Sequence, residues 1–263
     1  QYTQSNALID SALYAIALRA QENGCKYLFI PGDLTKDGEY EGHLELAARL
    51  ERFEQETGIQ VLVTNGNHDI NNSNASTFEN AKVEPARAAT PEEFRSIYAN
   101  LGYDLAVNTY TPPAGEKAGM LSYSVLLDGG YRLLVLDGGK YSSDSTSDGE
   151  NEHETGGNIT PGLMAWALAE MADAKSRGET VIGMTHHSMV EHFDIEPSMF
   201  YGFIMDNWLE TAETLADAGM KYVFTGHMHM NNIAAQTSDS GNTIYDCQTA
   251  SLTGFPNSFR EVR

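Results

Sequence analysis

Apolar positions along this chain fall into two alternating rhythms. Between residues 4 and 22, Ile9, Leu13, Ile16 and Ala20 recur at the spacing of one helix face, and Asn23-Gly24 supplies a stop. A short continuous run follows, Tyr27-Leu28-Phe29-Ile30, which reads as a buried strand and breaks off at Pro31-Gly32-Asp33. The pair then repeats. A helix over 39–57 carries Leu46, Leu50 and Phe53 on one face, and a strand from Ile59 to Thr64 runs into Asn65-Gly66-Asn67-His68-Asp69.

The middle of the chain changes character. Residues 71–89 are rich in Asn, Ser, Ala and Glu and read as a loop. Thr90-Pro91-Glu92-Glu93 opens a helix, with Thr as the cap, Pro at the first position and Glu three residues after the cap. Leu121–Leu127 and Tyr131–Leu136 flank Asp128-Gly129-Gly130 and predict an antiparallel hairpin. Residues 138–159, full of Gly, Ser, Asp and Glu, predict a long surface excursion that ends where Thr160-Pro161 starts another helix, continued by Met164, Leu168 and Met171.

The last third returns to the first rhythm. A strand over Thr180–Met184 ends in Thr185-His186-His187. A helix with Trp208, Ala212 and Leu215 stops at Gly219, and a strand over Lys221–Phe224 ends in Gly226-His227-Met228-His229. Thr243–Gln248 predicts a further strand, and Phe259-Arg260-Glu261-Val262-Arg263 reads as the start of another. No internal repeat or linker interrupts the order, so the expectation is one α/β domain over residues 1–263. Its sheet should be of mixed direction, because of the hairpin, and covered by helices.

Composition narrows the function. The 263 residues carry 16 Lys and Arg against 37 Asp and Glu, a net charge of −21. Such a field repels nucleic acid and anionic lipid surfaces, so neither is expected as a partner. No apolar run approaches the length that crosses a membrane. Acidity also repels a phosphate ester, unless bound cations reverse the sign locally. Cys25 and Cys247 are far apart and form no CxxC pair, which excludes a thiolate zinc site by count; both read as small buried hydrophobes.

The candidate chemistry lies in where the polar residues fall. Four apolar strands each end in groups suited to metal: Asp33, then Asn67-His68-Asp69, then His186-His187, then His227 and His229. In α/β sheets the ligand crevice lies beyond the carboxyl ends of the strands, so residues spread over most of the chain can converge there. Each segment alone has a bland reading. Aspartate after glycine is a common turn residue, and a His pair is ambiguous. His227 and His229, two apart on extended chain, point the same way. Carboxylate, amide oxygen and imidazole together suit Mn, Fe or Zn, whereas a pure Mg or Ca site would use fewer imidazoles.

Pro31-Gly32-Asp33, Gly66-Asn67-His68-Asp69, His186-His187 and Gly226-His227-Met228-His229 resemble, in order, motifs two to five of the calcineurin-like metallophosphoesterase family. The resemblance spans roughly residues 20–255, and Asp33-Leu34-Thr35 with Gly38-Glu39 is most similar to bacterial members near the cyclic-nucleotide phosphodiesterase branch. It implies a mixed β-sandwich flanked by helices, two divalent metal ions, and hydrolysis of small-molecule phosphomonoesters or phosphodiesters. By that likeness Asp33 bridges the metals. Asn67, His186 and His227 complete the second site, and His229 serves the first. His68 protonates or stabilises the leaving oxygen, with Asp69 orienting it. His186, nearer the strand end, is preferred to His187 as ligand; His187 and His192 stand by to support the ligands or to face substrate.

The family's first motif, Asp-x-His, has no counterpart here. No His precedes Asp33, and Asp10 falls in the first helix. The expectation is a chain that begins after that motif, with an incomplete first metal site. The alternative is an impaired relative that binds or scaffolds rather than catalyses. A closed structural zinc site fits less well, since Asn and mixed oxygen ligands suit open centres. Elsewhere, His43 is expected to face solvent from its helix, and His153 and His192 to lie on surface loops. Phe200, Tyr201 and Phe203 read as a local hydrophobic cluster or as a cap over an apolar leaving group. Asp137, at the end of the hairpin, reads as a turn residue or as support for the site.

Overall fold

A computed structural model describes residues 5–78, 82–141, 154–254 and 257–263. The expected excursion over 138–159 falls partly outside these residues, and His153 wholly so. The early rhythm appears as α1 (Ser5–Asn23), β1 (Tyr27–Pro31), α2 (Tyr40–Thr57) and β2 (Gln60–Thr64). The described residues of the polar stretch after it pair briefly, as β3 (Ser76–Thr77) and β4 (Glu84–Pro85). α3 (Pro91–Ile97) opens with the expected reciprocal cap: the Thr90 hydroxyl accepts from the Glu93 amide, and the Glu93 carboxylate accepts from the Thr90 amide. A π-helical turn (Ala99–Tyr103) leads to β5 (Ala106–Thr109), and the hairpin is β6 (Tyr123–Leu127) with β7 (Tyr131–Val135).

The remaining elements are α4 (Pro161–Ser176), β8 (Thr180–Met184), the one-turn α5 (Glu196–Met199), α6 (Trp208–Ala218), β9 (Tyr222–Thr225), β10 (Asn232–Thr237) and β11 (Thr243–Gln248). β1 and β2 pair in parallel as a small sheet, and seven strands form the large one in the order β10-β11-β9-β8-β7-β6-β5. Parallel pairing holds β11 to β9, β9 to β8 and β8 to β7, while β10, β6 and β5 join antiparallel, so the sheet is mixed as expected.

Three apolar clusters stack these elements into layers. Leu50, Phe53, Val61, Val63 and Phe94 bury one face of the small sheet under α2 and α3, with Leu13 and Ile16 of α1 packed against them. Leu62, Tyr123, Val125, Leu133, Val135 and Met184 fill the space between the two sheets, and Phe29 meets Phe224 across it at 5.8 Å. Leu163, Ala167 and Met171 of α4, with Ala212 and Leu215 of α6, cover the outer face of the large sheet. The result is helix, sheet, sheet, helix. It follows from strands that are apolar on both faces and so must be covered twice.

Several sequence expectations change here. His43 is fully buried rather than solvent-facing, because it shares the inner face of α2 with Ala47, Leu50 and Phe53. His192 is buried as well, with its Nε2 3.5 Å from the Asp246 carboxylate. Residues 257–263 form no strand, and Cys25 is only half-buried while Cys247 is buried. β5 and β10 went unread because they are edge strands with polar, half-exposed faces. Among the described residues no helix is long and apolar enough to cross a membrane.

Candidate metal centre

The two sheets bring four loops together. In the small sheet Pro31 pairs with Thr64, so Gly32-Asp33 and Asn65-Gly66-Asn67 leave side by side. In the large sheet Met184 pairs with Phe224, so the loops carrying His186 and His227 also leave side by side, and the Gly226 amide donates to the His186 carbonyl at 3.0 Å. Both glycines in the first pair are required. A Cβ on Gly32 would lie 2.6 Å from His186 Nδ1, and one on Gly66 would lie 2.1 Å from Asp33 Oδ1. The chain is strained at the same place. Asp33, His227 and His229 hold φ of 54°, 67° and 55°, in the left-handed region that side chains usually avoid.

Four atoms converge at this rim. His186 Nε2 lies 3.1 Å from Asn67 Oδ1, 3.1 Å from His227 Nδ1 and 3.3 Å from Asp33 Oδ2. Among the described residues, Asp33, His186 and His227 are the group of acidic, His or Cys side chains whose ligand atoms all lie within 4.8 Å of one another. The far side of each imidazole is occupied. His186 Nδ1–H donates to the Pro31 carbonyl at 2.7 Å, and His227 Nε2–H donates to the Gly202 carbonyl at 3.1 Å. Fixing the proton on the outer nitrogen turns the inner lone pair toward the common point, which is how imidazole ligands are held for metal. Two imidazole lone pairs, an amide oxygen and a carboxylate oxygen facing one point are all acceptors, and a cation is what satisfies them together. The donor set therefore fits a divalent ion.

Electrostatics agrees. Burial pushes the Asp33 carboxyl up, but the imidazoles of His186, His68 and His227 outweigh it and hold the group well below the usual carboxylate range. Burial pushes His186 down, and the Asp33 carboxylate more than reverses this, so its pKa is raised. His227 is pushed down to about 3, by burial first and then by His186. A proton on His186 thus supplies positive charge facing Asp33, a role a bound cation would take over.

The other expected residues fall around this point. His187 is buried behind it, its ring 4.5 Å from that of His227, with Nε2–H donating to the Thr155 carbonyl at 2.9 Å. Burial, with His227 and His186 beside it, drives its pKa far down, so it stays neutral. His229 is exposed and is not drawn into the converging group. His68 is half-exposed at the mouth; its amide donates to Asp33 Oδ1 at 3.2 Å. Its ring partner is not Asp69 but Asp37, with Nδ1 3.2 Å from Oδ1. Asp69 cannot reach round, because its carboxylate, fully buried, accepts from the amides of Leu34 (2.8 Å), Thr35 (3.1 Å) and Gly66 (2.8 Å). Asp37 sequence reasoning missed; its one signal was a carboxylate four residues after Asp33 on the same loop. His192 lies away from the converging atoms, and Asp137 is a buried brace that accepts from Asn65, Leu121, Gly139 and Tyr141.

A family model described as calcineurin-like phosphoesterase matches residues 5–231. The chain belongs to the calcineurin-like phosphoesterase family, which places it in the general class of metal-dependent phosphoester hydrolases. Among solved structures it is similar to a dimetal phosphatase from Danio rerio, at 10% identity and a TM-score of 0.54, over 90% of this chain and 76% of that one. A phosphopantetheinyl hydrolase from Mycobacterium tuberculosis aligns at 13% identity and a TM-score of 0.39, over 86% of this chain and 80% of that one. The first likeness supports the fold. No curated protein matches the chain.

Proposed function

We propose that this protein hydrolyses small-molecule phosphomonoesters or phosphodiesters at a two-metal centre that includes Asp33, Asn67, His186 and His227, with His229 serving the other ion and Asp33 shared. The observation that carries the reading is the convergence of four acceptor atoms on one point, with both imidazoles turned inward by hydrogen bonds on their outer nitrogens. The mixed nitrogen and oxygen set favours Mn, Fe or Zn. Bound ions of this kind supply Lewis acidity at a phosphoryl oxygen and an acidified water.

The protein's own groups divide the remaining work. His68 sits at the mouth, beside but not within the converging set, and can hand a proton to a departing alkoxide. Asp37 meets the His68 ring at Nδ1 and orients it. Lys36 pairs with the other oxygen of Asp37 and completes that arm. Asp69 fixes the backbone of both loops that carry oxygen ligands.

The test is release of nitrophenol from nitrophenyl phosphate and bis-nitrophenyl phosphate with added Mn, and its loss on chelation. Metal content and activity should fall together in Asn67→Ala, whereas His68→Ala should keep its metal and lose turnover. Full activity in both variants would sink the reading.

A further inference from the structure

Between β8 and α6, Met189, Val190, Ile204 and Met205 are buried, but the stretch 191–203 between them is built inside out. Glu196 and His192 are buried, and Glu196 accepts the His192 amide at 2.6 Å, while the apolar side chains around them face solvent. Tyr201 is 78% exposed, Met199 65% and Ile195 57%, and Phe200 and Phe203 are exposed as well. A chain that buries acid and histidine to display apolar side chains spends stability on the display. The display is not loose. Ser188 bridges Ile204, the Met205 amide donates to the Ser188 carbonyl, and the Asp206 amide donates to the Gly157 carbonyl, so the segment's end is pinned to the body.

Its rings lead to the candidate centre. Phe193 meets Phe200 edge-on at 5.6 Å, Phe200 meets Phe203 at 6.0 Å, and Phe203 lies 4.9 Å from the His227 ring at a 35° tilt. Gly202, between the two exposed aromatics Tyr201 and Phe203, supplies the carbonyl that orients His227. The apolar lip therefore ends on a residue of the converging group, and whatever covers it reaches that group at the same time. An anionic membrane fits badly, because Glu191 and Asp194 accompany the lip on a chain of net charge −21.

We infer that this lip is the subsite for the alcohol portion of the substrate, and that the natural substrate is a phosphate ester of an aromatic or long-chain apolar alcohol. The inference rests on the hydrolase reading above. The phosphate sits at the rim of the sheets, and the apolar group lies over Met199, Phe200, Tyr201 and Phe203, where aromatic faces and flexible thioether accept it without demanding one shape.

The test uses the whole chain loaded with Mn, and octyl against ethyl esters of phosphate, whose alcohols have similar acidity, in whichever of the mono- or diester forms is turned over. Wild type should prefer the octyl ester. A Met199→Ser/Tyr201→Ser double variant, altered only at the two most exposed side chains of the lip, should lose roughly tenfold in kcat/KM on the octyl ester, through KM, and keep its rate on the ethyl ester. An unchanged ratio of the two esters in the variant overturns the subsite. So does a lip that instead joins two copies, seen as a concentration-dependent mass in sedimentation that the double variant abolishes. If neither ester is turned over, calorimetric binding of octyl and ethyl phosphate separates the questions. Preferential octyl binding lost in the variant keeps the lip and removes the hydrolase reading; equal binding removes the lip.

Discussion

The half of the candidate centre carried by β1 and β2 and the half carried by β8 and β9 solve the same positioning problem with different groups. On the first half, the candidate oxygen ligands are set by amides gathered onto one buried carboxylate: Asp69 collects Leu34, Thr35 and Gly66, and thereby ties the Asp33 loop to the Asn67 loop. On the second half, imidazoles are set by carbonyls, Pro31 for His186 and Gly202 for His227, and the carboxylate behind them is Asp246. Asp246 accepts from the Met189 amide at 2.9 Å and from the Thr225 hydroxyl, so it ties the loop leaving β8 to the end of β9. Each half is a pair of parallel strand ends clamped by one buried aspartate. The first is clamped by three backbone donors; the second by one backbone donor and one side-chain hydroxyl. The first half should therefore be the stiffer one.

Asp33 belongs to both halves. Its Oδ1 accepts the His68 amide, and its Oδ2 faces His186. Asp33→Ala should give the largest effect of all, loss of measurable metal binding by calorimetry and a fall in activity of roughly a thousandfold or more, because several kcal/mol of charge stabilisation disappear at once. Activity within tenfold of wild type would show that the halves do not act as one centre.

The clamps can be compared directly. Asp69→Ala strands three amides, one buried and two half-buried, and should cost about 3 kcal/mol in urea unfolding, while Asp246→Ala strands one amide and one hydroxyl and should cost about 2 kcal/mol. The reverse order would break the comparison. Burial pushes the Asp69 pKa up, and His43 and the amides offset this only in part, so the clamp is held at an electrostatic cost.

Much of this was legible in the sequence, and the boundary has a physical cause. Asp33, Asn67, His186 and His227 could be read because each follows an apolar strand, and parallel strands bring their ends to one rim whatever their separation in the chain. Asp246 could not, because it lies within β11 and matters only through the register that sets β11 beside β9. Asp37 was hidden for a different reason: Lys36-Asp37-Gly38 looks like any polar turn, and only the fold turns it toward His68. His43 was readable and misread, since its spacing to Ala47, Leu50 and Phe53 puts it on the inner face of α2.

Asp37 sharpens the comparison at the level of catalysis. Asp37→Asn should keep the contact to His68 but lose its charge, lowering kcat roughly thirtyfold, a share of the contribution of a positioned acid, with metal affinity unchanged. A loss of metal instead would mean that this arm supports the centre and not the proton.

The smallest effect expected is at His43, and it asks how far the stiffness of the first half extends. Its Nε2–H donates to the Asp69 carbonyl at 3.0 Å, so Nδ1 accepts from the Tyr98 hydroxyl at 2.8 Å, and the ring stands edge-on to Phe94 at 5.5 Å. His43→Gln can keep one of these hydrogen bonds. It should therefore cost about 1 kcal/mol, or about 2–4 °C in Tm for a chain of this size. If the three amides on Asp69 fix the loop by themselves, kcat should stay within about twofold of wild type, since His43 then only backs a loop already held. If kcat drops while Tm barely moves, the Asn67-His68-Asp69 turn depends on its rear support as the imidazole loops depend on theirs. The two halves would then be equally soft, and the strain at Asp33 would be held from α2 as much as from the loop itself.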